Sequence, residues 1–445
     1  MSDSVTDRIA AFHAQIARVR PISHVGRVVR LEPTRFAIEG LSDHARLGEE
    51  LIYDTEDGAS HRAEVAGIER GLLWATPYGD TDGLRIGLSV SPGGPPSIAP
   101  HERWIGRVVD PFGRPLDGRP LQAGHPRTLR AAPPPSVGRR GLGARLRTGL
   151  AVFDTMLPLV AGQRIGLFAG SGVGKSTLLG TLAREVEADI CVLALVGERG
   201  REVSDFVERV LGAEGMARTI VVAATSDAPA NTRRRCAVAA QTIAEHFRDA
   251  GRDVLYLCDS ITRLAEAHRE VATAAGEDAS LRGHPASLTP LLASLCERAG
   301  PGAAGQGDIT AIYSVLVPGS DMEEPVADIV RGQIDGHVVL SREISEAGRF
   351  PAVDVLRSVS RALPAAATAE ENRLIAEARK VLGTLDRAEL MVTSGLYERG
   401  ANPEIDKAIA LVPKIEALFT SSGMPRVADS FRLLAGVLGT SYSGP

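Results

Sequence analysis

One stretch of the chain has the residue types needed to hold a phosphate: Ile165-Gly-Leu-Phe-Ala-Gly-Ser-Gly-Val-Gly-Lys-Ser-Thr177. Glycines at 170, 172 and 174 let the backbone curl so that the N–H groups of Gly170, Ser171, Gly172, Val173, Gly174, Lys175, Ser176 and Thr177 can converge on phosphate oxygens. A helix starting at Lys175 adds the positive end of its dipole, and the Lys175 ammonium adds a mobile charge. The Ser176 hydroxyl is placed to meet a Mg²⁺ carried by the nucleotide. Ala169 stands where the strictest form of the motif has glycine. A glycine-rich turn with an incidental lysine would give the same letters. The apolar strand before and the helical pattern after favour the phosphate loop.

Two further polar clusters follow apolar runs in the same way. Gly197-Glu-Arg-Gly-Arg-Glu202 comes directly after Ile190–Val196, and Asp259-Ser260 directly after Val254–Cys258. In open α/β sheets ligands bind beyond the carboxyl ends of the strands, which would gather all three clusters at one edge. Asp259 then holds Mg²⁺ opposite Ser176, and Glu198 orients and polarises the attacking water. A single carboxylate at a strand end is often only a helix cap; beside a phosphate loop, two of them support a site.

The elements that must position these groups are legible as alternating strand and helix. Strands are expected at 164–168, 190–196, 219–224, 254–258, 309–317 and 337–340, and helices at 175–187, 230–249 and 263–274. Continuous apolar runs such as Ile190–Val196 are those of parallel strands buried on both faces. Strand signals end near residue 365, and 370–382, 404–418 and 427–438 have helical periodicity. Upstream, short apolar segments at 26–31, 36–38, 50–53, 62–66 and 72–75 predict a small β-barrel or sandwich. Ser91-Pro-Gly-Gly-Pro-Pro-Ser-Ile-Ala-Pro100 reads as a linker.

At 445 residues, 44% hydrophobic and 24% charged, with a net charge of -5, the chain reads as a globular protein of two or three domains that does not hold nucleic acid by overall charge. The absence of an 18-residue apolar run or a secretory-type N-terminus points to the cytoplasm. Cys191, Cys236, Cys258 and Cys296 are dispersed, and two lie in expected core strands, so buried hydrophobes are expected rather than disulfides or a zinc site. Val5, Ile9, Phe12, Ile16 and Val19 form one stripe of a helix ended by Pro21, either packing on its own domain or docking a partner. Six arginines and no acidic residue lie between Arg127 and Arg147. Without interleaved aromatics, a solvated or subunit-facing connector is expected there ahead of a nucleic-acid arm.

Gly170-Ser-Gly-Val-Gly-Lys-Ser-Thr177, Gly197-Glu-Arg-Gly-Arg-Glu-Val203, Asp259-Ser-Ile-Thr-Arg263 and Asp335-Gly-His-Val-Val-Leu-Ser-Arg342 resemble, in this order, the flagellar protein export ATPases. These belong to the type III secretion ATPases, relatives of the catalytic subunit of rotary ATP synthases. Phe350-Pro-Ala-Val-Asp354 and Ser358-Val-Ser-Arg361 extend the resemblance over nearly the whole chain. It implies an α/β fold: a RecA-like P-loop NTPase core with an N-terminal β-barrel and a C-terminal helical domain. The expected divisions are a docking helix at 1–22, the barrel at 23–95, the ATPase core at 96–365 and the helical domain at 366–445.

The same resemblance implies a Mg²⁺-dependent ATP hydrolase assembled as a homohexamer with ATP at subunit interfaces. Lys175 would bind the β/γ-phosphates, Ser176 and Asp259 the Mg²⁺, and Glu198 would be the catalytic carboxylate. Arg199 and Arg263 match further arginines near the site, Arg361 matches an arginine finger from the neighbouring subunit, and Phe350 replaces a tyrosine that stacks on adenine. The implied partners are a regulator or stator protein at the N-terminal helix, export gate and stalk proteins, and chaperone–cargo complexes, with the ring peripheral to the cytoplasmic membrane and no nucleic acid. Leu264 and Leu281-Arg-Gly-His-Pro-Ala286 depart from the family pattern beside the site. A virulence injectisome ATPase is the nearest alternative, and an RNA-binding ring translocase is the alternative of another class. The Gly400–Ile409 stretch resembles flagellar members somewhat better, and residues 26–90 offer little aromatic–basic interleaving for RNA.

Overall fold

The computed structural model describes residues 24–135, 137–280, 283–317 and 322–444. The predicted N-terminal helix and the Leu281-Arg282 part of the divergent loop lie outside the described residues. The chain divides into two compact units, Met1–Pro96 with Ala274–Gly276, and Ser97–Thr273 with Glu277–Pro445.

In the first unit six strands, β1 (Gly26–Leu31), β2 (Phe36–Glu39), β3 (Glu50–Asp54), β4 (Ser60–Glu69), β5 (Leu72–Pro77) and β6 (Ser89–Gly94), close an antiparallel barrel in the order β1-β2-β5-β4-β3-β6. Closure removes the unpaired edges that short strands otherwise expose. Val28, Phe36, Ile38, Leu51, Tyr53, Val65, Leu73 and Val90 fill the interior. Strand β6 corrects the linker expectation at 91–94. Ser91 and Pro92 pair with Ile52 and Leu51, and Gly93 sits where the register shifts before Glu50 meets Gly94. A proline is tolerated in a ladder beside such an irregularity, and this one conceals a strand whose partners are distant in sequence.

The second unit is built on an eight-stranded sheet. Its strands are β7 (Val108–Val109), β8 (Arg164–Ala169), β9 (Ile190–Glu198), β10 (Thr219–Thr225), β11 (Val254–Asp259), β12 (Ile309–Leu316), β13 (Gly336–Leu340) and β14 (Val353–Ser360). They lie in the order β14-β13-β8-β12-β11-β9-β10-β7, all parallel except β14, which runs antiparallel to β13. Its helices include α1 (Lys175–Glu185), α2 (Gly200–Asp205), α3 (Ala230–Asp249), α4 (Ile261–Ala274), α5 (Leu288–Arg298) and α6 (Pro325–Gln333), followed by α7 (Ala369–Thr393), α8 (Pro403–Phe419) and α9 (Val427–Leu438). Apolar residues of the last three, among them Leu374, Ile375, Ile415, Phe419 and Phe431, join the same core as Leu167, Leu179 and Leu193 of the sheet and α1.

Each predicted central strand is present to within one or two residues, and the short β7 and β14 are additions. The inward positions of β14 include Ser358 and Ser360, whose buried hydroxyls accept from the Val339 N–H (2.9 Å) and donate to the Pro158 carbonyl (2.9 Å). Hydroxyls on the inner face, and a register shift that leaves Leu356 and Arg357 both exposed, obscure the period of two that marks a strand. Helix α7 runs eleven residues past the expected Leu382. Gly383 interrupts the apolar stripe there, while the residues beyond it are good helix formers.

The arginines of the 127–147 connector bind their own unit. Arg127 pairs with Asp249, Arg140 with Asp308 at 2.5 Å, and Arg139 donates to the Glu297 carbonyl at 2.6 Å. All four cysteines are buried, and burial pushes the Cys191, Cys258 and Cys296 thiols up to about 12.

Candidate active site

Strand β8 delivers the chain into the loop Gly170–Gly174 and directly into α1. Gly174, the residue before the helix, has φ +85°, a conformation that L side chains avoid, and a Cβ there would lie 3.2 Å from the Phe350 ring. Val173 turns its side chain into the core, leaving its backbone on the loop, whereas Ser171, Gly172, Ser176 and Thr177 are exposed. Leu178, Leu179, Leu182 and Ala183 bury the inner face of α1, so the helix N-terminus is held rigidly under the loop. Phe350 is half exposed, with its ring against this loop.

Asp259 ends β11 and is 2% exposed. Its Oδ1 accepts from the Lys175 ammonium and from the Ser314 hydroxyl at 2.6 Å. A buried carboxylate paired with a phosphate-loop lysine is a preformed charge site, since either group left alone would carry its full desolvation cost. Strand β12 lies between β8 and β11, with Leu167 opposite Ser314, and thereby inserts that hydroxyl between the loop and the carboxylate.

Glu198 comes from β9, two strands from β12. Gly197 before it has φ +70° and lies at a register shift between β9 and β10, which turns Glu198 out of the regular ladder. Burial, and then the Asp259 charge, push its carboxyl up to about 7, against the opposing pull of Lys175. A carboxyl poised near neutrality is suited to orienting a nucleophilic water and taking up its proton.

The arginines are placed differently. Arg199 and Arg263 precede or open helices at the same sheet edge, each facing an acidic residue three positions on: Arg199 to Glu202 at 3.8 Å, Arg263 to Glu266 at 3.0 Å. The exposed Arg199–Glu202 pair separates at little cost, whereas the Arg263–Glu266 pair is half-buried, with Arg263 Nε buried and bonded to nothing among the described residues. Arg361 is at the other edge. Ser360 pairs with Gly336 while Val353 pairs with Leu340, and Leu340 lies level with Ala169 at the mouth of the phosphate loop. Arg361 is therefore roughly 13 Å or more from that level along the strand direction, at about 3.3 Å per residue. Its guanidinium donates to the Ile334 carbonyl at 3.3 Å and is exposed.

Thus the fold gathers Lys175, Ser176, Glu198, Asp259, Phe350, Arg199 and Arg263 at one edge and keeps Arg361 out of its own chain's site. Ser314 was not among the predicted residues. A lone serine between Tyr313 and Val315 reads as a tolerated hydroxyl in a buried strand, and only the strand order reveals its neighbour. Leu264, the departure from the family pattern, is fully buried in the core.

The ATP synthase alpha/beta family nucleotide-binding domain matches residues 149–360, and the T3SS EscN ATPase C-terminal domain matches residues 367–422. The flagellum-specific ATP synthase of Caulobacter vibrioides is 39% identical over 440 residues, covering 96% of this chain and 99% of the relative. The SPI-2 type 3 secretion system ATPase of Salmonella typhimurium is 44% identical over 354 residues, 79% of this chain and 81% of the relative. The assembled ATPase EscN of the enteropathogenic E. coli type III secretion system superposes with a TM-score of 0.86 at 37% identity, covering 93% of this chain and 100% of EscN. In complex with its central stalk EscO it superposes at 0.84, with the same identity and coverage. Matched from the barrel to the C-terminal helices, this chain belongs to the family of flagellum-specific ATP synthases and type III secretion ATPases.

Proposed function

We propose that this chain is the ATP-hydrolysing motor of a flagellar type III protein export apparatus, acting as a homohexameric ring with ATP and Mg²⁺ bound between subunits. The observation that carries the reading is similarity to a flagellum-specific ATP synthase through 440 residues, the barrel and C-terminal helices included. The injectisome reading has its own support in the 44% identity to the SPI-2 ATPase, which runs through 354 residues.

In this mechanism the loop amides and Lys175 bind the β- and γ-phosphates, and Lys175 leaves Asp259 to do so. The freed Asp259 carboxylate and the Ser176 hydroxyl would hold a Mg²⁺, which when bound would neutralise charge on the phosphates. Glu198 orients the attacking water and accepts its proton. The placement of Arg361 away from its own loop supports a role in the adjacent subunit's site, where it would stabilise charge on the transferring phosphoryl group. Phe350 packs on the adenine, and Arg199 and Arg263 turn from Glu202 and Glu266 to the nucleotide or the neighbouring subunit.

A stalk protein in the centre of the ring is supported by the EscN–EscO complex. A regulator at residues 4–19, the export gate, chaperone–cargo complexes and a peripheral position at the cytoplasmic membrane complete the reading. Lys175→Ala should abolish turnover, and Glu198→Gln should retain ATP binding while losing hydrolysis. Either variant hydrolysing ATP at the wild-type rate would remove the site assignment. Deletion of the gene in its own organism should leave cells without filaments, and normal filaments in the absence of a second copy would remove the flagellar assignment.

A further inference from the structure

We infer that Ser314 is a positioning residue for the Mg²⁺ carboxylate. It takes over the orientation of Asp259 when Lys175 moves to the phosphates. The inference rests on the proposed assignment of Asp259 and Lys175. Both the lysine and the serine hydroxyl meet the same oxygen, Asp259 Oδ1. When the ammonium leaves that oxygen, the Ser314 hydroxyl is the side-chain donor that remains on it among the described hydrogen bonds, and it would hold the carboxylate in place for the metal.

The strand that carries Ser314 is fixed for this purpose. Ser314 is fully buried, so its hydroxyl is committed to a protein partner. Two residues on, the Leu316 N–H donates to the Thr262 hydroxyl at 2.9 Å, and Thr262 donates back to the Leu316 carbonyl at 3.4 Å. Thr262 is in the first turn of α4, three residues after Asp259. That reciprocal bond ties the end of β12 to the exit of β11 and leaves the hydroxyl little freedom to drift from the carboxylate. Groups that orient a metal-binding carboxylate typically change metal affinity by roughly 10–100-fold when removed.

The test compares Ser314→Ala, Ser314→Thr and Asp259→Asn in the full-length protein. Binding of a fluorescent ATP analogue is measured in excess EDTA and across a Mg²⁺ titration, alongside hydrolysis. For Ser314→Ala the analogue affinity in EDTA should stay within about twofold of wild type, while the Mg²⁺ concentration for half-maximal enhancement of binding rises about tenfold. Ser314→Thr, which keeps the hydroxyl, should recover most of that shift. Equal weakening with and without Mg²⁺, or no shift in the Mg²⁺ midpoint, would overturn the inference, as would a threonine variant as impaired as the alanine one. Asp259→Asn separates the two levels of the argument: an unchanged Mg²⁺ midpoint in that variant would remove the metal role of Asp259 itself, whatever Ser314 does.

Discussion

Glu198 concentrates the electrostatics of the site in one group that can be titrated. Its carboxyl is raised above the ordinary carboxylate range because it is withdrawn from water and faces Asp259. A carboxyl whose folded pKa exceeds its unfolded value favours folding most below the unfolded value, and that advantage is lost as pH rises through about 7. Glu198→Gln is neutral at every pH and escapes this loss. In nucleotide-free, Mg²⁺-free protein the melting temperature of Glu198→Gln relative to wild type should therefore rise from pH 5 to pH 8. Calorimetry at both pH values decides it, and a difference that shrinks over that interval would mean that Glu198 is not held in this environment. The residue pattern alone identified Glu198 through its place after an apolar strand. Its perturbed acidity was not legible, because it depends on how far Asp259 and Lys175 are brought toward it across the sheet.

At the scale of elements, the phosphate loop and the buried parallel strands were readable because each is a local pattern: glycines before a lysine, or an unbroken apolar run. Strands β6 and β14 were not. The first carries Pro92 and Gly93 and pairs with β3, far upstream in sequence, whereas the second buries serine hydroxyls and shifts register against the strand just before it. The helical periodicity of the C-terminal segments was equally plain, whereas their sharing of a core with the nucleotide-binding sheet was not. That sharing has a measurable consequence. Phe431 is fully buried, with the Arg145 guanidinium 5.2 Å from its ring centroid and Tyr442 packed at 5.6 Å. Phe431→Ala should destabilise the second unit by about 3–5 kcal/mol, the usual cost of emptying a buried aromatic position. In denaturant unfolding followed by a probe on the central sheet, the midpoint should fall along with the helical signal. An unchanged sheet transition would mean that the C-terminal helices unfold on their own.

For the whole molecule the separation of Lys175 and Arg361 matters most. One subunit presents its phosphate loop at one edge of the sheet and its Arg361 at the other, so a complete site in the proposed ring takes Lys175 from one chain and Arg361 from the next. An arginine acting in trans is worth about 10³–10⁵ in rate, and Arg361→Ala should lose hydrolysis on that scale while still binding ATP. Loss of activity alone would not distinguish a trans residue from one that supports its own chain. Mixing does. In rings reconstituted from equal amounts of Lys175→Ala and Arg361→Ala subunits, an Arg361→Ala chain keeps its own Lys175 and can receive Arg361 from a Lys175→Ala neighbour. With random assembly and one directional interface per site, roughly a quarter of the sites are then intact. ATPase activity should appear in the mixture where neither variant alone has any, and a chain carrying both substitutions should fail to complement either one. Activity that stays at background in mixed rings of demonstrated composition would place Arg361 in the service of its own subunit.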